Sequence, residues 1–199
     1  MKKTILIISA ILCCGVLCAK KNSTPIATGE YNDWCDYLDY INITRVVNID
    51  NYKTIVILPI GQDKVVWPDK DDNQYPALEK ALAAAPSVFQ EQIGKGLKGK
   101  NIEVKVAGSD VSPKSGEILI KLNIESLDMG NRALRVWVGF GAGNQNIEIS
   151  GYAEDTLGKC FSFKQKHYSI KMNSYEKVLT SEFKHFGEEI ADIFINMQK

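Results

Sequence analysis

The sequence predicts an α+β fold: a two-layer sandwich with a mixed, mostly antiparallel sheet of about five strands and two helices on one face. Three observations predict it. Several short segments alternate apolar and polar residues with a period of two. Two long segments repeat apolar residues at steps of three and four. Their order along the chain is β-α-β-β-β-β-α, which two helices can close over one sheet face.

The chain opens with a basic MKK and the apolar run TILIISAILCCGVLCA, which together have the layout of an export signal over residues 1–19. Ile5 to Ala19 is shorter than the roughly 20 apolar residues that a spanning helix requires. Cys14 and Cys18 are candidates for lipidation, although Cys13 and Leu17 stand where a lipoprotein signal wants a small residue. Residues 20–50 read as a tether and lead-in. KKNSTPIATGE is turn-rich, and YNDWCDYLDYINITRVVNIDN is aromatic and acidic without a clean period, set to pack Trp34, Tyr37 or Tyr40 on the body.

A single domain over residues 51–199 follows. YKTIVILPI is a continuous β-branched run and suits a strand covered on both faces. From Tyr75 to Lys98 the residues Leu78, Ala81, Leu82, Ala85, Phe89, Ile93 and Leu97 form one helical stripe, with Pro86 either kinking it or opening a second helix. IEVKVA and GEILIKLNIESLD alternate strictly, and so does NIEISGYAED. DTLGK supplies turn chemistry before CFSFKQKHYSI. Asn173, three residues before Glu176, has the spacing of a helix cap, and Val178, Leu179, Phe183, Phe186, Ile190, Ile193 and Phe194 then line a last helix. The first β-α-β can be parallel, and the later strands should run antiparallel.

The functional motifs are mostly negative. Lys+Arg and Asp+Glu are both 24, and loss of Lys2 and Lys3 with the leader leaves 22 against 24, which argues against nucleic acid as a partner. Gly139, Gly141 and Gly143 alternate in GFGAG, but Asn144 stands where a third fingerprint glycine belongs and a strand pattern follows where a phosphate cradle needs a helix. They read as a structural bend. Asp69 to Asn73 begins like a calcium loop, but Gln74 and Lys80 occupy its glycine and glutamate places. His167 and His185 have no metal-ligand spacing, and Cys160 and His167, seven apart on one strand, should face opposite ways. Cys35 and Cys160 are the two cysteines beyond the leader. A bridge between them would contribute about 4–5 kcal/mol by loop closure, against the alternative of two separate thiols. Arg132, Arg135, Trp137 and Phe140 combine cationic and aromatic groups beside the glycine bend and are the candidate partner-binding residues.

Asn131 to Arg135, Gly139 to Gly143 and Asp155 to Lys159 together resemble a bacterial family of envelope proteins, domain-of-unknown-function family 4410. The resemblance implies a small α+β domain in the cell envelope and brings no catalytic residues. The expectation is therefore an exported protein, periplasmic or associated with the outer membrane, that binds an envelope protein or glycan without catalysis or cofactor. A membrane would be met only through a lipid anchor. The alternatives are a secreted hydrolase with an acid–base pair assembled in space, and a carrier of a small ligand or lipid.

Overall fold

The computed structural model describes residues 27–35, 38–72, 74–128, 145–169 and 174–197. Among these residues are a seven-stranded mixed sheet and two long helices. The strands are β1 (Gly29–Cys35), β2 (Leu38–Ile43), β3 (Thr54–Ile57), β4 (Glu103–Val106), β5 (Glu117–Asp128), β6 (Gln145–Asp155) and β7 (Gly158–Ser169). The helices are α1 (Gln74–Gly96) and α2 (Tyr175–Asn196). The sheet order is β1-β2-β7-β6-β5-β3-β4.

The connections follow from local patterning. β3 and β4 are parallel through α1, and β5 returns parallel to β3 on its other side. β5, β6 and β7 form an antiparallel run, as expected for the later strands. The expected sheet of about five strands is too small. The lead-in supplies β1 and β2, and β2 pairs antiparallel with β7 from Tyr40↔Lys164 to Ile43↔Phe161. Its buried residues, Leu38, Ile41 and Ile43, break a regular alternation, so no period announced them.

One apolar cluster joins one sheet face to both helices. Ile55 and Ile57, Ile118 to Ile124 at alternate positions, Ile147 and Ile149, and Phe161 and Phe163 meet Leu82 and Phe89 of α1 and Leu179 and Phe186 of α2. Phe163 packs edge-on against Phe186 at 5.3 Å between ring centres, and Phe161 against Phe194 at 5.3 Å. Val56, Leu58 and Leu119 form a second, smaller cluster, so β3 is covered on both faces as its unbroken apolar run implies.

The helices pack closely where glycine removes a side chain. A Cβ on Gly96 would stand 2.4 Å from Ala191 Cβ, and one on Gly187 would stand 2.7 Å from Gln92 Cβ and 2.9 Å from Phe89 O. α1 runs unbroken through Pro86. Asp72 begins it by accepting from the Gln74 amide at 2.8 Å, which gives the acidic loop a capping role. α2 is capped by Ser174, whose Oγ accepts from the Lys177 amide at 3.3 Å. The expected cap, Asn173, lies outside the described residues.

Candidate functional site

Polar side chains converge at the closed end of the β6–β7 hairpin. Asp155 pairs with Gly158 across a tight turn, and Gly158 takes φ +103, a conformation that favours glycine. The Asp155 Oδ1 accepts from the Leu157 amide at 2.8 Å and from Arg45 Nη2 at 2.6 Å, while Oδ2 accepts from the Tyr52 hydroxyl at 2.5 Å. Arg45 and Tyr52 flank the short 3-10 turn Ile49–Asn51 between β2 and β3. A single buried carboxylate thus ties the hairpin to the β2–β3 connection. Burial pushes the Asp155 carboxyl up, but the hydrogen bonds from Tyr52, Arg45 and Leu157 outweigh it and hold the group below its ordinary range.

Cys160 sits beside this lock. The β6–β7 register shifts between Ala153↔Phe161 and Glu154↔Lys159, which leaves Cys160 as an extra residue in β7. Its carbonyl accepts from the amides of Thr44 at 2.9 Å and Arg45 at 3.0 Å, extending the β2–β7 contact beyond the ladder. Its thiol is free, fully buried, and 3.3 Å from Arg45 Nη2. Burial pushes the thiol up to about 11, so it stays protonated and unreactive at neutral pH. The bridge weighed for Cys35 and Cys160 is not formed. Cys35 ends β1 opposite Leu38, whereas Cys160 lies beyond the Ile43↔Phe161 pair at the other end of β2.

A second polar group is enclosed between β7 and α2. Gln165 Nε2 donates to Glu182 Oε2 at 2.9 Å, and His167 Nδ1 lies 3.9 Å from Glu182 Oε1. Glu182 and Gln165 are both buried, and Gln165 Oε1 has no hydrogen-bond partner. Burial raises the Glu182 carboxyl above its ordinary value, against the opposing pull of His167, Gln165 and His185. His185 itself lies 3.6 Å from Glu188 on the same helix. Helical periodicity gave no sign of Glu182 as an interior residue, because an acid on an apolar stripe reads as its polar border. A third acid, Glu125, falls at a register shift in β5 between Ile124 and Ser126. It pairs with Lys64 and accepts from Ser150 Oγ at 2.5 Å, which holds its carboxyl below the ordinary range.

The residues singled out from the sequence are distributed differently. Gly139, Gly141 and Gly143, Arg132, Arg135, Trp137 and Phe140, and Cys14 and Cys18 all lie outside the described residues. The strands on either side are described. β5 ends at Asp128, and Gln145 opens β6, antiparallel to it, so a strand follows Gly143 where a dinucleotide site needs a helix N-terminus. The Asp155–Lys159 stretch is the hairpin turn with the carboxylate lock. The sequence marked the stretch but not the partners, Arg45 and Tyr52, which lie more than a hundred residues earlier.

No curated protein matches the chain. Among solved structures the chain is similar to the PelC dodecamer from Paraburkholderia phytofirmans, with 11% identity over 79% of this chain and 96% of that one and a TM-score of 0.46. A Xanthomonas campestris protein assigned to DUF330 is similar at 10% identity over 77% of this chain and 88% of that one, with a TM-score of 0.38. A family model for a domain of unknown function matches residues 41–180, a span that contains Arg45, Tyr52, Asp155 and Cys160 as well as Gln165 and His167, and on that match the chain belongs to the DUF4410 family.

Proposed function

We propose that the protein is an exported cell-envelope domain, periplasmic or associated with the outer membrane, that binds another envelope component and catalyses nothing. In this reading the two helices and the sheet form a two-layer scaffold. The observation that carries it is the Asp155 lock. Both carboxylate oxygens are occupied by donors from Arg45, Tyr52 and Leu157, and the group stays ionised. A carboxylate so committed holds two parts of a scaffold together, with three of its roughly four acceptor sites taken by the protein's own donors.

The partner-binding residues in this reading are Arg132, Arg135, Trp137 and Phe140, in the chain between β5 and β6. That connection joins β6 at the end opposite the locked hairpin, so the lock anchors β6 at its far end. The export signal over residues 1–19, with Cys14 or Cys18 as a lipid attachment point, would deliver the domain to the envelope. Intact mass and N-terminal sequence of the mature protein test delivery: an unprocessed N-terminus found in the cytoplasmic fraction contradicts export. Cross-linking in envelope extracts tests binding. A specific partner should be lost on Arg132→Ala with Arg135→Ala, and retention of every cross-link after both changes contradicts the assignment.

The hydrolase reading draws on one observation, the buried Glu182 with a raised pKa near His167. It requires that Glu182→Gln abolish a measurable hydrolysis while leaving the fold intact.

A further inference from the structure

Among the described residues β4 ends the sheet order on one side, and no strand pairs with its outer edge. The amides of Glu103 and Ala107 donate to Lys53 O at 2.9 Å and to Ile57 O at 2.8 Å. In a parallel ladder the residues between them, Val104 and Val106, therefore turn their backbone groups outward. One outward group is occupied: Gln90 Nε2 of α1 donates to Val104 O at 2.8 Å. The opposite edge is protected by shape. In β1 the register breaks between Asn32 and Cys35 and Asp33 takes φ 49, a kink that turns an edge away from strand addition.

We propose that β4 pairs antiparallel with β4 of a second copy about a two-fold axis at Val104, joining two sheets into one. In that register Val104 faces Val104 of the second copy, Glu103 faces its Lys105, and Ile102 faces its Val106. Both faces of the strand are then complementary. Glu103 is exposed and has no ion partner among the described residues, and it gains a lysine. Lys105 reaches Glu117 only at 3.7 Å and gains a second acid. Val106, 37% exposed, is covered by Ile102, which already packs against the core. A lysine on an edge strand ordinarily repels an added strand. Here it attracts, but only towards a strand with glutamate two residues before lysine, which is why the occupant is another copy of this chain. A register centred on Val106 would set Lys105 against Ala107 and Glu103 against Ser109, with no such match. Gln90 must release Val104 O for the central hydrogen-bonded pair to form, so it limits how tightly the copies associate.

Sedimentation equilibrium on protein expressed from the full sequence, as the cell processes it, tests the proposal. The expected result is a reversible monomer–dimer equilibrium that Gln90→Ala tightens. Lys105→Glu sets like charges opposite each other twice and should raise the dissociation constant about tenfold, as should Glu103→Lys. The two changes together restore opposite-charge pairs and should return the dimer to its original strength. These side chains are at the surface, and unchanged thermal melts at low concentration confirm that folding is intact. A chain that stays monomeric up to about 1 mM with and without Gln90→Ala, an association unmoved by Lys105→Glu, or a double change that fails to restore it would each overturn the pairing.

Discussion

Asp155 and Glu182 are both buried acids, and their surroundings send them in opposite directions. Asp155 receives three hydrogen bonds, two of them from side chains more than a hundred residues away in sequence. Asp155→Ala leaves Tyr52 and the Leu157 amide without their acceptor and should cost about 2–3 kcal/mol in urea unfolding. Its folded pKa lies below the unfolded value, so its contribution is present above the unfolded pKa and lost as pH falls through the folded one. Glu182 is the reverse case. Its folded pKa is raised by burial, so its contribution is complete below the unfolded value and lost as pH rises through the folded one. Glu182→Gln should therefore be at least as stable as the parent at pH 8 and should flatten the decline between acid and neutral pH. Parallel pH–stability curves for the two proteins would show that Glu182 carries no such linkage. Neither behaviour was legible in the sequence. Burial of a charged side chain depends on what packs over it, and that information is held by residues distant along the chain.

The two helices were legible as elements because each carries a continuous apolar stripe, and the helical reading through Pro86 needed only the choice between a kink and a break. How they meet was not legible. Gly187 stands in α2 against Phe89 O and Gln92, while Gly94 of α1 has open space where its Cβ would be. Both are helical glycines that alanine would favour by up to about 1 kcal/mol on propensity alone. Gly94→Ala should realise that gain. Gly187→Ala should lose about 1–3 kcal/mol net, because the helices must separate or Gln92 must move. A thermal denaturation pair measures the contrast, and equal effects at the two sites would remove the close crossing from the account. Gly151 is the sheet counterpart. A Cβ there would meet Phe163 at 2.5 Å and Lys121 O at 2.6 Å, so the Phe163 ring lies across a position that sequence alone reads only as a gap in an alternating strand.

At the scale of the molecule, alternation and helical stripes carried the order from β3 to α2, since most of those segments have one buried face or two, while the short β4 alternates without a buried residue. They did not carry the hairpin of β1 and β2, where Leu38, Ile41 and Ile43 are separated by polar and aromatic residues that hide the period. That hairpin is structural nonetheless. β2 covers the edge of β7, and its three apolar side chains are as buried as those of β5 in the same cluster. The family match begins at residue 41, so β1 and half of β2 precede it. If the hairpin were an accessory lead-in, a chain starting at residue 46 would fold with only modest loss. The contacts argue otherwise. Such a chain loses Ile41 from beside Phe163 and Ile43 from beside Phe161, loses Arg45 from the Asp155 lock, and exposes the twelve-residue β7 as an open edge. An unpaired strand of that length with buried neighbours is a template for aggregation. The truncated chain is expected to be insoluble or to lack a cooperative melt, whereas a chain starting at residue 27 should melt like the parent. A soluble, cooperative protein from residue 46 onward would show that the sheet is complete without its first two strands.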